Sequence, residues 1–227
     1  MKKLNKTILL SVASLLLSVG AFAQDCAGYY PVKEGAVLAY RNSDDKGKVT
    51  STTKQTILSK TSIPQGVNYA VKSEVWDAKD KLVTEGTLNM RCEGGVFYID
   101  MKNFLDPSSM AGMKDAQIEV SGVDMEIPAK LAVGQSLPDA NITMSIGFMK
   151  IMMNITNRKV VAAESITVPA GTFDCLKITY DFEAKALFKM TGASAQWMAK
   201  GPGIVKSETY DKKGKLSGSQ VLTEYKH

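Results

Sequence analysis

Three methionines within five residues, Met149, Met152 and Met153 in "GFMKIMMNIT" (Gly147 to Thr156), form the densest set of distinctive side chains in this 227-residue chain. Clustered thioethers are soft donors that suit copper(I). Ligation needs them on one face. In an extended chain successive side chains point to opposite faces, so Met152 falls opposite Met149 and Met153. That spacing argues against a copper site and for methionine as adaptable apolar filler or surface. Other chemistry is sparse. The single histidine is the last residue, His227, which removes histidine general-base catalysis and the usual zinc constellations. No G-x-S-x-G, Walker, dinucleotide-binding or EF-hand motif occurs. Asp44 with Asp45, and Asp124 with Glu126, are residue types used by paired-carboxylate hydrolases. They fall at turns or strand ends, where solvated acids are ordinary. No enzymatic activity, cofactor or metal is expected.

The three cysteines, Cys26, Cys92 and Cys175, include no Cys-x-x-Cys pair, so a redox role is not expected. The N-terminus places them in an oxidising compartment. Lys2, Lys3 and Lys6 precede the apolar run Ile8 to Val19, and Ala21-Phe22-Ala23 offers small residues for cleavage. This reads as a secretory signal peptide over residues 1–23, with an apolar run too short for a membrane span. Residues 24–227 would then be one domain in the periplasm or at the cell exterior, not membrane-spanning after cleavage. Without the three signal lysines the balance is 25 basic against 23 acidic residues, +2 instead of +5. No basic block interleaved with aromatics remains, so nucleic acid is not an expected partner. Cys92 shares a strand face with Leu88 and Met90 and points inward. Cys175 shares its face with Lys177 and Thr179, opposite Leu176 and Ile178. The expected disulfide is Cys26–Cys92, with Cys175 free.

Period-two alternation dominates the elements that carry these residues. Tyr69, Val71 and Val75 share one face; Leu176, Ile178, Tyr180 and Phe182 share another. The pattern predicts a mainly β, antiparallel protein. A faint repeat starts at Tyr40 ("YRNSDDKGKVT"), Trp76 ("WDAKDKLVT") and Tyr210 ("YDKKGKLSG"). It reads as three similar hairpins with solvated tips; a repeated recognition loop is the alternative. One segment departs from the β pattern. Asp106 can cap and Pro107 start a short helix near 105–115, with Met110 and Met113 on one face. In the methionine-rich stretch the apolar set shifts phase between Phe148 and Met149, which demands a hairpin tip or bulge there.

Several stretches carry a family resemblance. "YYPVKEGAVLAY", "CEGGVFYIDMKNFL", "ITVPAGTFDCLKITYD" and "WMAKGPGIVKSETYDKKGKLSG" resemble the DUF3108-like family of exported proteins from Bacteroidetes-type bacteria, a family without an assigned function. The resemblance implies a single antiparallel, curved, half-barrel-like sheet similar to periplasmic lipoprotein carriers, with a helix on one side. It supplies no catalytic residues. A curved sheet with a concave apolar face would suit a hydrophobic small molecule or lipid. Phe148, Met149, Met152, Met153, Met110 and Met113 are the candidate lining residues. The alternative is a structural or interaction module of the envelope that contacts a protein partner through its hairpin tips.

Overall fold

The computed structural model describes residues 28–30, 33–101, 118–146 and 149–227. Its strands are, in chain order, β1 (Val37–Asp44), β2 (Val49–Ile63), β3 (Gly66–Asp77), β4 (Leu82–Glu93), β5 (Val96–Ile99), β6 (Ile118–Val123), β7 (Met125–Pro128), β8 (Ala140–Ile146), β9 (Met149–Val168), β10 (Gly171–Lys185), β11 (Lys189–Ala199), β12 (Gly203–Asp211) and β13 (Leu216–Lys226). They form one antiparallel sheet ordered β6-β8-β9-β10-β11-β12-β13-β1-β2-β3-β4-β5-β7. The predicted helix near 105–115 lies outside the described residues.

Connectivity dictates curvature. The edge strands β6 and β7 are consecutive in the chain, separated only by Asp124. A flat sheet of this size would hold its edges about 58 Å apart, at about 4.8 Å per strand. Two Cα–Cα steps span at most about 7.6 Å. The sheet must therefore roll until its edges meet, and it becomes a nearly closed barrel. At the seam Asp124 accepts the guanidinium of Arg91 from β4, and its other oxygen lies 3.4 Å from the Met101 amide. Inside the seam, Arg158 of β9 is 3% exposed. Its guanidinium donates to the carbonyls of Pro138 at 2.6 Å and Glu126 at 2.9 Å, tying β9 to β7 and to the segment before β8. Burial holds its pKa below the ordinary guanidinium value.

Alternation sets what faces inward, because directly opposed residues share a face. Tyr40 of β1 opposes Leu222 of β13, Ile57 opposes Val71 and Val160 opposes Ile178; all six are buried. Tyr30 closes the lower end, stacking on Phe97 at 4.7 Å and donating to Gln55 Oε1 at 3.2 Å. Gly203 makes room for this segment: its φ is +79°, and a Cβ there would lie 2.5 Å from the Tyr29 carbonyl oxygen. A second apolar cluster holds Met101, Met125, Ala140, Ile142 and Ile155.

The hairpins answer two sequence expectations. Ile146 pairs with Met149, so the phase slip is a hairpin tip between β8 and β9. The repeat forms three turns of one design. Asp44 accepts the amides of Lys46 and Lys48, each at 2.9 Å. Asp77 accepts those of Lys79 and Lys81 at 2.8 and 3.0 Å. Asp211 accepts those of Lys213 and Lys215 at 2.8 and 2.9 Å. The fourth residue is left-handed each time, Gly47 at +79°, Asp80 at +59° and Gly214 at +77°. This is the three-residue loop in which a turn is closed by a left-handed residue, and the register slips beside each one.

Cys175 shares its β10 face with Lys177 and Thr179, opposite the apolar Leu176 and Ile178, yet it is 3% exposed. Lys177 and Lys206 both lie over the ring of Trp197, each at 4.7 Å, and the indole N–H donates to Glu164 at 3.0 Å. Lysine stems thus cover this face as side-chain methylenes do elsewhere, and Cys175 joins the same apolar cluster as Trp197 and Ala199. Its thiol is free and pushed up to about 11, by burial first and then by Asp174 and Glu164. Cys92 is buried and engaged; Cys26 lies outside the described residues.

Candidate binding surface

The methionines do not assemble into one lining. Met153 opposes Ile142 and packs on the second apolar cluster. Met152 opposes Thr143 and Lys185 on the other face and is half-buried. Met110, Met113, Phe148 and the side chain of Met149 lie outside the described residues. Among the described residues no group of three or more His, Cys, Asp or Glu could hold a metal ion.

The inner face does not stay apolar along its length. Above the Tyr40 level, amides and hydroxyls take over. Asn42 Nδ2 donates to Ser51 Oγ at 3.0 Å and Thr53 Oγ1 at 3.2 Å, and Gln220 Nε2 donates to Asn42 Oδ1 at 2.9 Å. On the neighbouring strands β11 and β10, Gln196 donates to the Tyr180 hydroxyl at 3.1 Å. Among the described residues the inner face carries an apolar lower half that holds Tyr29 and Tyr30, a hydrogen-bonded belt above it on the β1, β2 and β13 side, and the second apolar cluster on the β8–β9 side.

The upper end is where unassigned surface collects. Among the described residues, antiparallel order sends four connections there: 45–48, 78–81, 186–188 and 212–215. Lys215 of one joins Asp45 of another at 2.7 Å. Between the β10–β11 and β12–β13 hairpins lies a cleft of about 540 Å³, lined by Phe182, Met190, Tyr210, Lys189, Lys212 and Lys213 among others. Its phenol Tyr210 donates to Glu208, and that bond, with burial, pushes its pKa up to about 12. Tyr210 is thus a neutral aromatic wall at any physiological pH. A neighbouring depression of about 630 Å³ is lined by Asp139, Asp181, Glu183 and Asp211 beside asparagines and threonines. Asn157 Nδ2 donates to Asp181 at 2.8 Å there. Sequence reasoning missed the basic and apolar cleft. Its signal was "KALFKM" (Lys185 to Met190), an apolar pair between lysines where a turn should be polar.

The DUF3108-like family profile matches residues 33–222. Two solved structures share the fold. One is a Bacteroides fragilis protein assigned as exported, with a YmcC-like fold, at 24% identity and a TM-score of 0.73, covering 89% of this chain and all of that one. The other is a Parabacteroides distasonis protein assigned as a lipoprotein, at 25% identity and a TM-score of 0.73 with the same coverage. No curated protein matches the sequence.

Proposed function

The chain belongs to the DUF3108-like family, and from that premise we propose that it is an exported, non-enzymatic envelope protein that binds an anionic amphiphile at the upper end of its barrel. One observation carries this reading. The 540 Å³ cleft sets Phe182, Met190 and Tyr210 beside Lys189, Lys212 and Lys213; Asp211 also lines it, and Lys189 pairs with Glu183, which leaves Lys212 and Lys213 as the outward charges. That combines the size and apolar walls of a small-molecule site with a few orienting charges. Lysine suits a carboxylate or phosphate head as a mobile point charge, and methionine suits an irregular tail. The sparse histidine content and the lack of recognised catalytic motifs in this sequence favour a binding role over a catalytic one.

The test is titration with a fluorescent fatty-acid analogue below its micelle concentration. We expect one site, and at least tenfold weaker binding of an analogue with the same tail and a cationic head. Met190→Glu and Lys213→Glu alter exposed positions and should each weaken binding about tenfold without moving the urea midpoint. Equal affinity for both heads, or unchanged affinity in both variants, would overturn the reading.

A further inference from the structure

Leu187 and Phe188 are 82% and 83% exposed, and Met190 is 63% exposed. Leu187 and Phe188 exceed every other large apolar side chain among the described residues. They sit at the apex of the β10–β11 hairpin, between Lys185 and Lys189, which pair across it. A hairpin needs no such residues to fold. Small or polar turn residues serve better, and a pair this exposed keeps its apolar surface in water with little internal contact to offset it.

The surroundings say what could cover them. The three aspartate turns share the barrel end with this tip, and each presents two exposed lysines at equivalent positions: Lys46 and Lys48, Lys79 and Lys81, Lys213 and Lys215. Carboxylates share this end: Asp44, Asp77 and Asp211 accept the amides of their own turns and stay charged, and Asp80 is exposed beside Lys79 and Lys81. Two ion pairs, Lys215 with Asp45 and Lys189 with Glu183, each at 2.7 Å, cancel locally. Counting Lys46, Lys48, Lys79, Lys81, Lys185, Lys189, Lys212, Lys213 and Lys215 against Asp44, Asp45, Asp77, Asp80, Glu183 and Asp211, these turns still carry nine positive charges against six negative. An apolar tip ringed by lysine tips complements a surface that is apolar below and anionic at its boundary.

We propose that this end of the barrel docks on an anionic lipid bilayer, with Leu187 and Phe188 in the acyl boundary and the lysine crown at the phosphates. Two apolar side chains alone give marginal, reversible attachment, and lysines near an anionic surface add to it cooperatively. Neither signal suffices without the other. A second copy of this chain would bring an identical crown of lysines against the first, which disfavours self-association there. The proposal stands on the exposed tip and the turns, not on the amphiphile reading. If both hold, the cleft opens toward the headgroups.

Co-sedimentation of the full chain with vesicles tests it, using phosphatidylcholine alone and phosphatidylcholine with 30% phosphatidylglycerol, a composition of about the anionic density the argument needs. We expect at least tenfold stronger binding to the anionic vesicles, falling further as salt rises. Leu187→Ser with Phe188→Ser should lower it at least tenfold, yet leave binding of the soluble fatty-acid analogue and the urea midpoint unchanged. Lys46→Glu, Lys79→Glu and Lys213→Glu together should remove the preference for anionic vesicles. Equal binding to both compositions, no binding, or unchanged binding in the serine variant would overturn the proposal. A concentration-dependent dimer that dissolves in the serine variant, without vesicle binding, would assign the tip to self-association instead.

Discussion

Removing the Arg158 side chain should open the barrel at its seam. The guanidinium is 3% exposed and holds two carbonyls, at 2.6 Å on Pro138 and 2.9 Å on Glu126. In Arg158→Ala both carbonyls lose their partner, at about 1–3 kcal/mol each if water does not reach them. The lost stem adds about 1–2 kcal/mol of cavity. Against this, the variant no longer buries a guanidinium whose Nε has no partner. Relief of that desolvation returns a few kcal/mol. The net expectation is a loss of about 2–4 kcal/mol. Arg158→Met keeps the volume and forfeits only the hydrogen bonds, so it should cost about 1–2 kcal/mol less than alanine. Urea denaturation of the wild type and both variants measures this. Hydrogen exchange at Glu126 and Ile127 supplies a local readout, since β7 should lose protection first. If alanine costs less than about 0.5 kcal/mol, or if methionine stabilises the fold, the two carbonyl bonds are outweighed by burial of the charge and the seam argument fails.

Met153 and Met152 are both half-buried, but Met153→Lys puts a charge against the Met101–Met125–Ile142 cluster and should cost about 2–4 kcal/mol in urea, whereas Met152→Lys, on the opposite face, should cost under about 1 kcal/mol; equal losses would contradict the facing. Asp77 and Asp211 have pKa values held below the ordinary aspartate value, first by the lysine backbone amides they accept. Their folded pKa values are depressed, so the stability they contribute is present above about pH 4 and is lost as pH falls through the folded values. The double variant Asp77→Asn with Asp211→Asn should therefore show a shallower decline of the urea midpoint between neutral and acid pH, and an unchanged slope would refute it. Cys175, with its thiol near 11 and its side chain 3% exposed, should resist iodoacetamide at pH 8 and react once unfolded in urea. Peptide mapping of the unreduced chain is expected to find Cys26 joined to Cys92; a link to Cys175 would refute that pairing.

Alternation made the sheet legible, because a period of two names both the element and the face it buries. The tip between β8 and β9 followed from the phase break at Phe148/Met149 and needed no tertiary information. The Asp-x-Lys-Gly/Asp-Lys turns were legible too, since carboxylate and left-handed residue act within five positions. Closure was not. It follows from β6 and β7 being sheet edges one residue apart, and strand order is a long-range property. Arg158 was missed for the same reason: its partners, Glu126 and Pro138, are 32 and 20 residues away. Cys175 misled because alternation tells which face a side chain occupies, not what covers that face. There the cover is Trp197 and the lysines above it.

The apolar pocket expected from the methionines failed for a reason that redirects the functional argument. The lower interior is already occupied by Tyr29 and Tyr30, and the upper interior satisfies its own amides and hydroxyls. The apolar side chains on the β8–β9 side are packed on one another in the second cluster of Met101, Met125, Ala140, Ile142 and Ile155. What remains unexplained by folding lies at the loops. Three upper turns use an aspartate at the same position and a left-handed Gly or Asp three residues on, which shows what a turn at this barrel end requires. The β10–β11 turn uses neither: it has lysine where the others have aspartate, and Phe188 where they have Gly or Asp. A position that departs from the local folding solution while exposing 82–83% of two large apolar side chains is one where something other than stability has chosen the residues. The interior chemistry and the turn chemistry point to the same place, and the upper rim, not the barrel lumen, is where ligand and membrane experiments should look.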